Sequence, residues 1–174
     1  MRREILISGT GGQGIVAAGE LLSKSLFNIG YEVIFGRSYG SEARGGACRS
    51  EIIVSDEEIY DLQLEEADIF IALSVPGYTK YIDRVRGGAL VIVDSAVLDD
   101  ARQRKDVRTL SIPASMTAKS LGNPIVSNMV LLGALAKHSD ILKLEMLRNA
   151  VKEDLPPSMH EINYKALKSG YNLA

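Results

Sequence analysis

Residues 4–16 read EILISGTGGQGIV and predict a strand, a glycine-rich turn and the start of a helix. The apolar run at 4–8 is typical of a buried strand, and Gly9, Gly11 and Gly14 have the G-x-G-x-x-G spacing. Apolar residues then recur at helical spacing as far as Gly30, and residues 31–35 again favour a strand. This order predicts the beginning of a parallel βαβ unit.

The rest of the chain alternates in the same way before it becomes helical. Further strands are predicted at residues 49–55, 68–73, 89–93 and 107–112, and helices at residues 114–121, 125–137, 142–151 and from 158 to a C-cap at Gly170. The glycine-rich segment 36–47 is predicted to be a long surface loop. We therefore expect one domain, residues 1–174, with a Rossmann-like three-layer α/β fold, a mostly parallel sheet and a helical C-terminal third.

Composition excludes several classes of function. The chain has 20 Lys+Arg against 22 Asp+Glu, so it has no basic excess for binding nucleic acid. One cysteine, Cys48, cannot build a disulfide framework, a zinc–thiolate site or an iron–sulfur cluster. The apolar runs are too short for a signal peptide or a membrane span, so we expect a cytoplasmic protein that does not bind membranes.

The sequence of the glycine loop is compatible with several ligands and roles. Its spacing favours a dinucleotide, but an NAD site places an acid at the end of the second strand, where this chain has Phe35, Gly36 and Arg37. Arg37 could meet a 2′-phosphate, which keeps an NADP-dependent oxidoreductase as an alternative. A tight structural turn, a different anion and a contact with another subunit are the remaining interpretations.

Four motifs follow one another along the chain and together carry a family resemblance. They are Gly9-x-Gly-Gly-Gln-Gly14, Ser38-Tyr39-Gly40-x-Glu42-x-Arg44-Gly45-Gly46, Asn128-Met129-Val130-Leu131-Leu132-Gly133-Ala134-Leu135 and Asn163-x-x-Ala166-x-x-x-Gly170-Tyr171. In this order they resemble the gamma subunit of 2-oxoacid:ferredoxin oxidoreductases. The resemblance covers almost the whole chain.

The resemblance implies a specific role. Such enzymes oxidatively decarboxylate a 2-oxoacid to an acyl-CoA and pass the electrons to ferredoxin. Thiamine diphosphate, magnesium and iron–sulfur clusters would lie on alpha, beta and ferredoxin-like delta partner subunits, so we expect the isolated chain to be inactive. The Arg44-Gly45-Gly46 form and the single-domain length look like the 2-oxoglutarate or branched-chain branch, and we favour 2-oxoglutarate. An isolated copy could also form a homodimer.

The candidate binding residues are the glycine loop and three polar positions. In fused relatives the equivalent domain helps to bind coenzyme A, and Gly11, Gly12, Gln13 and Gly14 would suit its phosphates or pack against a partner subunit. The other candidates are Tyr39, which could stack on a ring or anchor an interface, Arg44, which could meet a phosphate or a neighbouring subunit, and Asn128, which could cap a loop or face a ligand cleft. A non-enzymatic module that binds a nucleotide or coenzyme A stays an alternative.

Several other residues have side chains that could take part in catalysis, but we assign no catalytic role to them. Asp94 and Ser95 follow a strand at the edge where α/β folds bind ligands, and they are candidates for supporting a ligand site. We interpret Cys48 as a structural free thiol, and His138 and His160 as surface residues. No catalytic residue and no metal ligand is assigned to this chain.

Overall fold

A computed structural model describes the backbone of residues 1–38 and 46–174 and the side chains of these residues except that of Ser38. The candidate residues Tyr39 and Arg44 lie outside the described residues. Six strands within the described part form one sheet in the order β2-β3-β1-β4-β5-β6. They are β1 (Arg2–Thr10), β2 (Glu32–Ser38), β3 (Ala47–Ser55), β4 (Ala67–Ala72), β5 (Val85–Asp94) and β6 (Arg108–Ile112).

The sheet is parallel on one side of β1 and antiparallel on the other. β1, β4, β5 and β6 pair in parallel, whereas β3 runs antiparallel to both β1 and β2. The predicted βαβ unit therefore needs correction: β1 and β2 point the same way, but β3 lies between them. The segment predicted as a loop at 36–47 is also too long, because its first three residues pair with β3 and Ala47 pairs with Thr10.

Helices cover both faces of the sheet and make the predicted three layers. They are α1 (Ile15–Phe27), α2 (Val75–Tyr81), α3 (Ser95–Leu98), α4 (Ala114–Ser120), α5 (Ser127–His138), α6 (Leu144–Asp154) and α7 (Pro157–Leu173), with 3-10 turns at Ile82–Arg84 and Pro124–Val126. The side chains of each strand alternate between the two faces, so neighbours such as Ile5 and Leu6 enter different apolar clusters. The larger cluster packs under α1 and α4–α7, and the smaller one packs under α2 and α3.

Helix α2 is absent from the sequence prediction, which has only a turn after β4. Ser74 is its N-cap, and its hydroxyl accepts a hydrogen bond from the Gly77 backbone N–H at 3.1 Å. Pro76 lies in the first turn, where its missing N–H costs nothing. Ser-Val-Pro-Gly therefore starts a helix here, and the signal was visible in the sequence as a cap followed by proline.

Helix α5 lies between the sheet and α7, and every residue from Ser127 to Ala136 is buried. Its contact with α7 depends on two glycines. A Cβ at Gly133 would overlap the Leu167 carbonyl oxygen, and a Cβ at Gly170 would overlap the Val130 carbonyl oxygen. The prediction of Gly170 as a C-cap is thus wrong, because α7 continues to Leu173 and Gly170 allows two helices to approach closely.

Among the described residues, no helix is long and apolar enough to cross a membrane.

Candidate functional site

The ends of the parallel strands define the edge of the sheet where the candidate residues gather. β1 ends at Thr10, β4 at Ala72, β5 at Asp94 and β6 at Ile112. After β1 the chain passes through α1 to β2 and β3, which lie on one side of β1 within the sheet. It later forms β4–β6 on the other side of β1. This edge is therefore a topological switch point, which is where open α/β sheets bind ligands.

The glycine loop turns from β1 into α1 by using backbone conformations that favour glycine. Gly12 has φ 90°, and Gly14 has φ 69° at the N-cap position of α1. No side chain within the described residues caps this helix end, so the first backbone N–H groups of α1 point towards the loop without such an acceptor. Added Cβ atoms at Gly11 or Gly12 would meet nothing within 4 Å, so the loop is open to a ligand there.

Gln13 holds the loop in place rather than offering a free amide. Its Oε1 accepts hydrogen bonds from the Thr10 backbone N–H at 2.8 Å and from the Thr10 hydroxyl at 3.2 Å. Its Nε2 donates to the Leu73 carbonyl oxygen at 3.0 Å. The side chain therefore bridges the ends of β1 and β4 across the switch point. The Gln13 backbone N–H also donates to the Thr10 carbonyl oxygen, at 3.3 Å, so Gln13 stabilises the turn with its backbone as well as its side chain.

Asn128 reaches the same loop from the start of α5. Its side chain is 4% exposed, and its Nδ2 donates to the Gly14 carbonyl oxygen at 3.1 Å. Its Oδ1 accepts from the Met129 backbone N–H at 2.7 Å. A Cβ at Gly14 would lie 2.6 Å from Nδ2, so glycine at this position also makes room for the amide. Of the two predicted roles for Asn128, the contacts support the loop cap.

A cleft of about 220 Å³ lies beside the loop. It is lined by Gly12, Gln13, Ser115, Lys119, Pro124, Ile125 and Ser127. Of these residues only Lys119 carries a charge, and Ile125 presents an exposed apolar wall. A cation, an uncapped helix N-terminus and an apolar wall together suit a ligand that has phosphate groups and an organic chain. Sequence reasoning missed Lys119, because a single lysine on a short helix follows no motif.

Asp94 is buried and stabilises the fold at this edge. Its carboxylate accepts hydrogen bonds from the backbone N–H of Ser115, at 3.0 Å, and from the Ser115 hydroxyl, and it thereby holds the first turn of α4. Asp94 therefore supports Ser115 in the α4 wall of the cleft but does not itself line the cleft. Ser95 begins the short helix α3 and does not line the cleft.

The geometry does not match a classical dinucleotide site at Arg37. Two strand spacings, about 10 Å, separate β2 from β1 because β3 lies between them. Arg37 Nη1 donates to Glu20 of α1 at 3.1 Å. The end of β2 is therefore displaced from the position next to the glycine loop at which a ribose contact is made in that fold.

The remaining predicted residues lie away from the cleft. Cys48 is half-buried on β3, and Arg49 points to the opposite face, where it lies over the Tyr81 ring and pairs with Glu51. Both histidines are half-buried rather than fully exposed. His160 Nε2 lies 2.7 Å from the Leu155 carbonyl oxygen.

His138 ends α5, with its Nδ1 3.0 Å from Arg108 Nη2. Burial lowers the pKa of His138, and the nearby charges of Arg108 and Lys137 lower it further. His138 lies at the opposite edge of the sheet from the cleft, together with Arg3, Asp68 and Asp140.

Within residues 1–38 and 46–174 no group of three or more His, Cys, Asp or Glu side chains could hold a metal ion.

Relatives by sequence share one kind of function. Residues 4–173 match the pyruvate ferredoxin/flavodoxin oxidoreductase family. The 2-oxoglutarate synthase subunit KorC of Methanothermobacter thermautotrophicus is 38% identical over 181 residues, covering 99% of this chain and 95% of its own. The subunit of the same name from Methanocaldococcus jannaschii is 38% identical over 178 residues, covering 100% of this chain and 95% of its own.

Solved structures share the fold over the full chain. The gamma subunit of a keto/oxoacid ferredoxin oxidoreductase from Geobacter sulfurreducens PCA has a TM-score of 0.89 and 31% identity, covering 99% of this chain and 96% of its own. A 2-oxoglutarate:ferredoxin oxidoreductase from Magnetococcus marinus, with 2-oxoglutarate, coenzyme A and succinyl-CoA bound, has a TM-score of 0.89 and 26% identity. It matches 99% of this chain but only 31% of its own, much longer chain.

Proposed function

The chain belongs to the pyruvate ferredoxin/flavodoxin oxidoreductase family, and we propose that it is a subunit of an enzyme whose substrate is 2-oxoglutarate. The chain is a gamma subunit of a 2-oxoacid:ferredoxin oxidoreductase, as its full-length similarity to such subunits shows. The proposed reaction converts 2-oxoglutarate and coenzyme A to succinyl-CoA and carbon dioxide, and two electrons pass to ferredoxin. The identity of 38% to two KorC subunits supports this choice of oxoacid.

The redox cofactors belong on partner subunits. An iron–sulfur cluster needs several thiolates, and the sequence has only Cys48, so the residues present do not fit such a cluster. Thiamine diphosphate, with its magnesium ion, supplies the chemistry that decarboxylates the oxoacid, and we assign it to the alpha and beta subunits. A ferredoxin-like delta subunit would hold clusters and pass electrons to ferredoxin. We expect this assembly in the cytoplasm.

This chain's own contribution is to bind coenzyme A at the glycine loop. One observation carries this proposal: no side chain in the described part of the chain caps the N-terminus of α1, and this helix end opens beside Gly11, Gly12 and the Lys119 cleft. Phosphate oxygens would accept hydrogen bonds from the loop N–H groups and gain from the positive end of the helix dipole. Arg44 and Tyr39 remain predicted ligand contacts of the same segment of sequence.

Reconstitution tests the subunit assignment and the oxoacid together. The full chain is mixed anaerobically with its co-expressed partner subunits, and reduction of a viologen dye is followed with 2-oxoglutarate, pyruvate or 2-oxoisovalerate. We expect no turnover by the chain alone, turnover by the complex, and the largest kcat/KM for 2-oxoglutarate. An equal or larger kcat/KM for another oxoacid would contradict the proposed substrate and leave the subunit assignment intact.

Substitutions in the loop test coenzyme A binding within the same complex. Gly11→Asp puts a negative charge where a phosphate would lie, and Lys119→Ala removes the cleft cation. We expect each to raise the KM for coenzyme A about tenfold, while the KM for 2-oxoglutarate stays constant. Lys105→Ala is the control, because this exposed lysine precedes β6 and lies at the opposite end of the sheet.

An unchanged KM for coenzyme A in both variants would refute the binding role. If the same variants instead fail to assemble with the partner subunits, the loop is a subunit contact. Assembly is read from the mass of the purified complex.

A further inference from the structure

The polar side chains that line the Lys119 cleft differ in what they offer to a ligand. The Gln13 amide is engaged in the loop, as described above. Lys119 is exposed and forms no ion pair or hydrogen bond with the described residues. The two remaining polar side chains are the hydroxyls of Ser115 and Ser127, which come from the helices α4 and α5. These two hydroxyls have different hydrogen-bonding capacities.

The Ser115 hydroxyl can only accept a hydrogen bond from a ligand. A hydroxyl has a single proton, and Ser115 donates this proton to Asp94, whose side chain is 3% exposed. The Ser115 backbone N–H donates to the same carboxylate oxygen at 3.0 Å, which fixes the residue at the start of α4. Ser115 lines the cleft and Asp94 does not, so Ser115 lies between the carboxylate and the cleft. What the hydroxyl offers to the cleft is therefore a lone pair.

The Ser127 hydroxyl, in contrast, still has its proton to donate. Ser127 is the first residue of α5 and is 5% exposed. Its hydroxyl forms no hydrogen bond with any residue of the described part of the chain. Its Oγ is not sealed from solvent, and the space that Ser127 lines is the cleft. A nearly buried hydroxyl without a protein partner is costly unless water or a ligand satisfies it.

We propose that Ser115 and Ser127 bind an amide group in the pantetheine arm of coenzyme A. This inference rests on the proposed function, in which the glycine loop binds coenzyme A. An amide has one N–H donor and one carbonyl acceptor. The N–H donates to Ser115, and the carbonyl accepts from Ser127. The ionised diphosphate of coenzyme A only accepts hydrogen bonds, so beside Ser115 it would meet a lone pair instead of a donor.

The size and the lining of the cleft agree with this division of the ligand. The cleft volume is about 220 Å³, whereas pockets that enclose a whole drug-sized ligand have about 300–1,000 Å³. The cleft therefore holds one segment of coenzyme A. Pro124 and Ile125 give it an apolar wall, which suits the methylene groups of the arm. The phosphates then lie at Lys119 and the loop backbone.

The two halves of the ligand can be tested separately in the reconstituted complex. Pantetheine has the amides and the thiol of coenzyme A but no phosphate. It is measured as an alternative acyl acceptor and as a competitive inhibitor of coenzyme A, with viologen reduction by 2-oxoglutarate as the readout.

We expect Ser115→Ala and Ser127→Ala to weaken the binding of both thiols by the same factor, about fivefold. Lys119→Ala should weaken coenzyme A binding about tenfold and leave pantetheine binding unchanged. The KM for 2-oxoglutarate should stay constant in all three variants.

Two further variants separate this role from a general effect on the fold. Ser120→Ala is the matched control, because Ser120 lies on the same helix, donates to the Thr117 carbonyl at 2.7 Å and does not line the cleft. It should change no constant. Asp94→Asn keeps an oxygen that accepts from Ser115 and should preserve binding of both thiols, whereas Asp94→Ala should weaken it. The mass of the complex and its melting temperature establish that each variant assembles and folds.

The outcomes distinguish failure of this inference from failure of the proposed function. If Lys119→Ala weakens coenzyme A binding but neither serine variant affects either thiol, the amide contact is refuted and coenzyme A binding stands. Equal loss of both thiols in Lys119→Ala, or no competition by pantetheine, would overturn the division of the ligand. If none of the three variants changes any constant for coenzyme A, the proposed binding function is itself refuted.

Discussion

Glycines serve two regions of this molecule in opposite ways. In the loop before α1, Gly11 and Gly12 have open space around them, and glycine there allows the turn and exposes backbone N–H groups. In the α5–α7 contact, Gly133 and Gly170 have no space at all, because carbonyl oxygens of the facing helix occupy the position of a Cβ. The first region leaves space around its backbone, and the second uses glycine for close helix packing.

Helix α5 connects these two regions. Its first turn carries Asn128, which holds the Gly14 carbonyl of the loop, and its middle carries Gly133 against α7. The position of the loop therefore depends on how closely α5 and α7 pack. The role of a glycine motif therefore depends on the residues that lie next to it in the folded chain, which the motif itself does not specify.

The largest effect should come from closing the space between the helices. Gly170→Ala would force α7 away from Val130, and we expect a loss of about 3 kcal/mol in the free energy of unfolding, although alanine normally favours a helix. Urea denaturation measures the loss. Asn172→Ala, at an exposed position of the same helix, should change stability by less than about 0.5 kcal/mol. Equal stability of the two variants would refute the packing role of Gly170.

A smaller loss is expected at the loop. Gln13→Ala removes the hydrogen bonds to Thr10 and Leu73 and leaves their backbone groups without this partner. We expect a loss of about 2 kcal/mol in unfolding free energy, together with a higher KM for coenzyme A in the complex, since the loop is no longer held. Gln103→Ala, at an exposed position, is the control. A variant with wild-type stability would show that the bridge between β1 and β4 contributes nothing.

Acidification should slightly lower the free energy of unfolding through His138, the last residue of α5. The pKa of His138 is lowered in the folded state, by burial first and then by Arg108 and Lys137, so the unfolded chain binds a proton more readily. Stability contributed by neutral His138 is present above the unfolded pKa of about 6.5 and falls as the pH drops below it, towards the lower folded pKa. Urea midpoints at pH 7.5 and 5.5 measure this slope, and His138→Gln should reduce it. An identical slope in that variant would assign the pH dependence to other groups.

The smallest change in stability is expected at Gly11. A Cβ there meets nothing, and its φ is not positive, so Gly11→Ala should alter the unfolding free energy by less than about 0.5 kcal/mol. Its effect should instead be seen in binding, as a moderate increase in the KM for coenzyme A. A stability loss as large as that of Gly170→Ala would remove the distinction between the two regions.

Much of the fold follows from local patterns. The apolar runs and glycine positions predicted the strands β1–β6 and five helices, α1 and α4–α7, within a few residues of their observed ends. Helix α2 was missed because its seven residues contain Pro76 and Gly77, which read as a turn unless the Ser74 cap is recognised. The insertion of β3 between β1 and β2 was also missed, because local sequence does not specify which strands become neighbours.

The sequence alone determined the family, the three-layer class, the glycine loop and the inability of this chain to hold an iron–sulfur cluster, because these depend on residue identity and local spacing. The tertiary structure decided which groups are free to act. It engages Gln13 and Asn128 in hydrogen bonds, brings Lys119 to the loop, places Gly170 between two helices and leaves β2 at an open edge. Each of these depends on contacts between residues far apart in the chain, which packing and burial select and local spacing does not encode.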